Sequence, residues 1–263
     1  MTHPSPSSFT IVVGEKFAEY SRSQSNALTV AELERLVWSQ PSSCPEEVIL
    51  GQGVEYGKLA PLLASEKRIG RKSPAILNIE QVLDQHNLLH QDSVHKQSRN
   101  NVLITSPRMI GDSEYRALLA IQDSSELLSD HMTGQHIQGM VLVEAARQAM
   151  LSVSENFLLD VRLRGRSYFV LNHVSSRFLQ FGFPLPTTID CLVLSSETSK
   201  SGSLKGEIEC RFKQNDTCIA EISIQFAAYD KQYIAEKEHS LAQSATVTHL
   251  SVPTAAFVPH EAH

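Results

Sequence analysis

The chain has 263 residues, and its 23 Lys and Arg set against 29 Asp and Glu give a net charge of −6. With 41% hydrophobic and 20% charged residues it holds enough apolar material for a packed core, which excludes wholesale disorder. An acidic balance speaks against a nucleic-acid partner. No apolar run reaches the roughly 18 residues of a membrane span. The start, MTHPSPSSFT, lacks a basic stretch followed by an apolar core, so no secretory signal is expected and the chain reads as cytoplasmic. Cys44, Cys191, Cys210 and Cys218 form no C-x-x-C pair. They are expected to be reduced thiols, with neither a disulfide framework nor a metal site.

Residues 1–75 read as a small N-terminal accessory region. A short apolar start at 9–13 precedes a predicted helix from Val30 to Ser39, where Thr29 and Glu32 make a T-x-x-E capping box and Leu33, Leu36 and Val37 supply an apolar face. Pro and Ser at 40–44 mark a break. Residues 59–64 suggest a second short helix, and Arg68, Arg71 and Lys72 a solvated basic linker. Residues 76–238 carry the strongest periodicity and form the main domain. Strands are predicted at 101–106 and 115–121, a long helix at 139–157, and strands at 187–196, 204–213 and 217–229, with Gly202 in a turn between two of them. In 204–213 the alternation is nearly complete: Leu204, Ile208, Cys210 and Phe212 share one face, and Lys205, Glu207, Glu209, Arg211 and Lys213 the other. Residues 239–263, rich in Ala, Thr, Ser and Pro, read as a mobile tail.

The helix, GMVLVEAARQAMLSVSENF, is apolar almost all round, so it must be enclosed by other structure. One helix wrapped by a curved antiparallel sheet is an α+β hotdog fold, and the element order fits it. Glu144, Arg147 and Gln148 interrupt the apolar surface and share one stripe. A buried carboxylate must be paired or have a raised pKa. Glu144 and Arg147 therefore read either as a structural ion pair or as part of a site. The lead-in loop, DHMTGQHIQG, adds His131 and His136 between glycines, just before a helix N-terminus whose N–H groups and dipole favour an oxyanion or a phosphate.

The stretch 131–149, HMTGQHIQGMVLVEAARQA, resembles the signature of the A-factor biosynthesis hotdog family, the AfsA-like proteins. Val94-His95-Lys96 before VLIT, and RFLQFGFPLP at 177–186, resemble further stretches of the same family. The end of the signature is also similar to the G-x-x-x-x-E-A-x-x-Q helix of fatty-acid dehydratases. Two departures stand out. AfsA-like enzymes often carry two hotdog repeats where this chain has one, and residue 138 is Gln where Pro is common. A single hotdog exposes a sheet edge and an open site, so a homodimer that completes both is expected.

The resemblance implies transfer of a β-ketoacyl group from an acyl-carrier-protein or coenzyme A thioester to the hydroxyl of dihydroxyacetone phosphate, toward a γ-butyrolactone or butenolide signal, with no cofactor. Under it Glu144 is the general base, its pKa raised by apolar surroundings. Backbone N–H groups near Gly139 hold the oxyanion, and His131 or His136 orients substrate or shares the proton transfer. Arg147 either meets the acceptor phosphate or only pairs with Glu144, Gln148 holds Glu144, and His95 and Lys96 assist with phosphate or the pantetheine arm. The acyl chain would lie beside Met140, Val143 or Phe157, residues that also read as plain core. Phe178, Phe181 and Phe183 read as a plug at one end of the core or as a closure of the acyl tunnel. Two other classes stay open: a hotdog dehydratase or thioesterase acting on acyl thioesters, and a non-catalytic acyl-binding regulatory protein.

Overall fold

Residues 9–55, 57–59, 74–78, 89–129, 133–200 and 202–251 are described by a computed structural model. In the N-terminal region β1 (Thr10–Val13) is flanked by β2 (Ala27–Thr29) and β3 (Glu47–Leu50), and β4 (Ala75–Ile76) extends the sheet. All pairings are parallel, in the order β2-β1-β3-β4. Short helix α1 (Ala18–Ser23) follows β1, and α2 (Val30–Ser39) follows β2 with the predicted capping box formed. Val12, Val30, Leu33, Val37, Val48, Leu50 and Leu59 pack into a separate small core. Residues 57–59 are helical; the rest of the predicted second helix and the basic linker lie outside the described residues.

The main sheet is antiparallel throughout and runs β5-β6-β8-β9-β10-β7. Its strands are β5 (Arg108–Gly111), β6 (Glu114–Leu118), β7 (Ser167–Phe178), β8 (Thr188–Thr198), β9 (Leu204–Gln214) and β10 (Thr217–Asp230). The central helix α3 (Gly139–Val153) runs into a π turn, Ser154–Leu158. Ala145, Ala146, Ala149 and Met150 on α3 meet Ile189, Ile208, Phe212, Ile222 and Phe226 of the sheet in one core. This is the hotdog arrangement. In β9 the inward and outward faces are those read from the sequence. Position 206 is glycine because a methyl group there would lie 3.0 Å from both the Phe226 ring and the Ser195 carbonyl oxygen.

Three expectations differ from the structure. Residues 102–104 are fully buried, but they form an isolated bridge, Ile104 to Leu119, and no strand, and the first strand of the sheet starts at Arg108. Main-chain bonds run from the Ala120 N–H to Leu103 O at 2.8 Å and from the Thr105 N–H to Leu118 O at 3.0 Å, and Gln148 adds a side-chain link, donating to Asn101 O and accepting from the Leu103 N–H. The edge strand β7 was not predicted, because with β10 its one partner among the described residues most of its residues are exposed and no wet and dry alternation develops. Beyond β10 a helix α4 (Lys231–Ser251) continues well into the segment expected as a tail, with Ile234 its buried residue. Residues 252–263 lie outside the described residues.

The two sheets are joined at Gln52, which is 1% exposed. Its side-chain amide donates to Leu119 O and Leu185 O at 3.1 and 3.2 Å and accepts from the Ile121 N–H at 3.0 Å. The Gln52 and Gly53 N–H groups donate to Pro184 O and Ile121 O.

Candidate active site

Glu144, Arg147 and Gln148 project from one stripe of α3 toward the loop that precedes β5. That loop makes a 3-10 turn at Gln91–Val94 and leaves it through His95, whose left-handed conformation (φ 55°) reverses the chain. Lys96 is thereby brought to the helix, with Nζ 2.9 Å from Glu144 Oε1. Arg147 grips the same carboxylate twice, Nε to Oε2 at 2.8 Å and Nη2 to Oε1 at 2.9 Å, and Gln148 Nε2 donates to Oε1 at 3.0 Å. The Glu144, Lys96 and Arg147 side chains are only 18%, 21% and 23% exposed. Arg147 Nη2 also donates to Val94 O, so the cluster fastens the loop to the helix.

Burial pushes the Glu144 carboxyl upward, but hydrogen bonds from Arg147, Gln148 and Lys96, with the charge of Arg147, outweigh it and hold the group below its ordinary 4.5. The expected rise is therefore overturned. The helix is apolar around Glu144, yet the carboxylate itself meets one cation from the next turn and another from a distant loop. The Glu144–Arg147 ion pair is present, enlarged by Lys96. His95 lies edge-on to Phe169, with ring centroids 5.8 Å apart. Burial, then the charges of Arg147 and Lys231, hold its imidazole below 6.5, so it is neutral at pH 7.

The histidine loop reaches a different place, the start of α3. His136 Nδ1 is 3.3 Å from Thr133 Oγ1, and its ring packs edge-on to Phe181 at 5.0 Å between centroids. The Phe178 ring lies over Gly139, where a methyl group would come within 2.7 Å of its Cζ. His136, Gly139, Met140, Phe178, Phe181 and Gly182 line a cleft of about 320 Å³. Gly139 lies five residues before Glu144, about 7.5 Å along the helix axis. The structure thus gathers His95, Lys96, Glu144, Arg147 and Gln148 at one centre and puts His136 and Gly139 at a second. His131 lies outside the described residues.

The aromatic cluster does not plug the core. Phe178, Phe181 and Phe183 are 51%, 68% and 40% exposed, and Met140 is 71% exposed. Phe178 and Phe181 wall the histidine cleft instead. Of the two readings of this cluster, the plug of the core is the one that their exposure overturns. Among the described residues no group of three or more His, Cys, Asp or Glu could hold a metal ion. No described helix is long and apolar enough to cross a membrane. All four cysteines are free thiols; Cys191 and Cys210 are buried, with Sγ atoms 3.5 Å apart.

The profile of a family described as the A-factor biosynthesis hotdog domain matches residues 77–230, more than half of the chain. No curated protein matches significantly. Among solved structures, a mutant thioesterase from Pseudomonas aeruginosa is 16% identical with a TM-score of 0.39, covering 54% of this chain and 94% of its own. A thioesterase from Haemophilus influenzae is 13% identical with a TM-score of 0.38, covering 54% and 90%. A sigma28-regulated virulence protein from Campylobacter jejuni is 17% identical with a TM-score of 0.37, covering 56% and 96%.

Proposed function

Because the chain belongs to the A-factor biosynthesis hotdog family, we propose that it is an acyltransferase: it moves a β-ketoacyl group from an acyl-carrier-protein or coenzyme A thioester to the hydroxyl of dihydroxyacetone phosphate or a similar acceptor, toward a butyrolactone or butenolide signal. One observation carries the reading: Glu144, on the enclosed helix, is held within 3.0 Å by Lys96, Arg147 and Gln148.

Such a cluster suits a phosphorylated acceptor. Guanidinium and ammonium groups are natural partners of a phosphate. While Lys96 and Arg147 are occupied by Glu144 they keep it ionised and weakly basic. A phosphate dianion competes for both cations. As they turn to it, burial becomes the dominant influence on Glu144, its pKa climbs, and the carboxylate becomes an effective base for the acceptor hydroxyl. The hydroxyl oxygen then attacks the thioester carbonyl, the C–O bond forms, the C–S bond breaks, and the proton passes through Glu144 to the leaving thiolate. The oxyanion is held by N–H groups at the start of α3, near Gly139. His136, beside them, orients the thioester. A homodimer formed along the free edge of β7 covers that edge and completes the open cleft.

The purified protein, incubated with β-ketoacyl thioesters and dihydroxyacetone phosphate, should yield a ketoester phosphate by mass spectrometry. Release of the free acid or of an enoyl thioester in its place would reject the transferase reading in favour of thioesterase or dehydratase chemistry.

A further inference from the structure

The N-terminal parallel sheet has the topology of an open α/β sheet. There a ligand usually enters the crevice beyond the carboxyl ends of the strands, where the order reverses. Here that crevice lies past Val13 and Leu50, and the chain fills it with itself. Gln52 and Gly53 bond the 119–121 segment, and the Lys16 N–H donates to Asp123 Oδ1 at 2.7 Å. Gly14 and Gly53 are in backbone contact: a methyl group on Gly14 would lie 2.4 Å from Gly53 O. The start of α2 is taken by Glu15, which accepts from the Ala31 N–H, and by the Thr29–Glu32 capping box. The ligand positions of this unit are spent on docking.

The docked unit presents α1 to the histidine loop. The Tyr20 N–H donates to Gly134 O at 2.9 Å. The Gln135 side chain donates to Glu19 O at 3.0 Å and accepts from Ser23 Oγ at 3.3 Å. Gly134 is left-handed (φ 72°), and a methyl group there would lie 3.1 Å from Glu19 Cγ. On the far side the Ile137 N–H donates to Gly182 O at 2.7 Å, and the Tyr20 ring packs on Phe183 at 5.9 Å. His136 therefore stands on a loop clamped between α1 and the 180–183 segment.

We propose that the N-terminal unit is the fixed support of the histidine loop, and that Gln135 is the positioning residue through which α1 sets the place of His136 against Phe181. The functional weight of this rests on the acyltransferase reading, but the placement does not, and the test separates them. Gln135→Met keeps the length of the side chain and removes both hydrogen bonds to α1. In NMR spectra of the full chain, the His136 ring proton resonance should move away from its ring-shifted position against Phe181, while the His173 and His249 resonances hold theirs. In the transfer assay kcat should fall by about tenfold, as for a reacting group misplaced by a fraction of an ångström, with KM for the thioester nearly unchanged. A His136 resonance that does not move overturns the proposal, and so do all three histidine resonances moving together, which would mean general loosening. If the wild type shows no transfer, the acyltransferase reading fails and the resonances still decide the support.

Discussion

At Glu144 two opposed influences meet. Burial pushes the carboxyl's pKa upward, and two cations with an amide outweigh it and hold the group below its ordinary value. Because its folded pKa lies below the ordinary 4.5, Glu144 contributes stability that is fully present above about that pH and is lost as the pH falls through the folded value. Glu144→Gln should therefore lower the urea midpoint at pH 7, with the gap to wild type narrowing as the pH falls below 4.5. The same substitution should cost on the order of 10²-fold in acyl transfer, the scale of a general base. A variant of unchanged activity but reduced stability would leave Glu144 a structural anion and no more. The cluster's remaining links are less exposed to pH, since Gln148 bonds main-chain groups of residues 101 and 103.

Two glycines show how elements are fitted together, and they differ in what opposes a side chain. At Gly51 a methyl group would lie 2.0 Å from the Pro184 carbonyl oxygen. That oxygen belongs to main chain held by the Gln52 N–H, so neither side can give way. At Gly139 the obstacle is the tip of Phe178, a half-exposed ring that can swing out. Gly51→Ala should destabilise the protein by about 3 kcal/mol or more, at the upper end of overpacking. Gly139→Ala should stay within about 1 kcal/mol of wild type, because better helix propensity offsets the moved ring. Urea unfolding of the two variants checks the pair. Equal losses would mean that the sheets are not joined along Gly51 and Pro184.

At the scale of the whole molecule the exposed edge of the main sheet stands out. β7 is twelve residues long, pairs among the described residues with β10 alone, and exposes Tyr168, Leu171, Val174 and Phe178. Long exposed edges of this kind invite pairing with another chain. If the homodimer forms there, a Val174→Lys substitution should shift the protein toward monomer in sedimentation velocity while leaving its circular dichroism unchanged. A variant that remains dimeric would place the contact elsewhere.

The central helix, the β8 to β10 strands and the capping box of α2 were legible in the sequence because each depends on local periodicity or on a fixed spacing of three residues. The stripe of Glu144, Arg147 and Gln148 was legible for the same reason. Tertiary structure alone decided the rest. The loop carrying Lys96 meets the helix through a left-handed residue, and Lys96 joins Arg147 and Gln148 in holding the Glu144 carboxyl below its ordinary value against burial. The main chain around 102–104 makes an isolated bridge and not a strand, with a glutamine side chain taking the Leu103 N–H. β7 has no alternation to read because little covers it. The N-terminal unit meets the histidine loop only through contacts between residues more than a hundred positions apart, such as Glu19 and Gln135. Periodicity records which face of an element is dry, but it carries no record of which distant group arrives there.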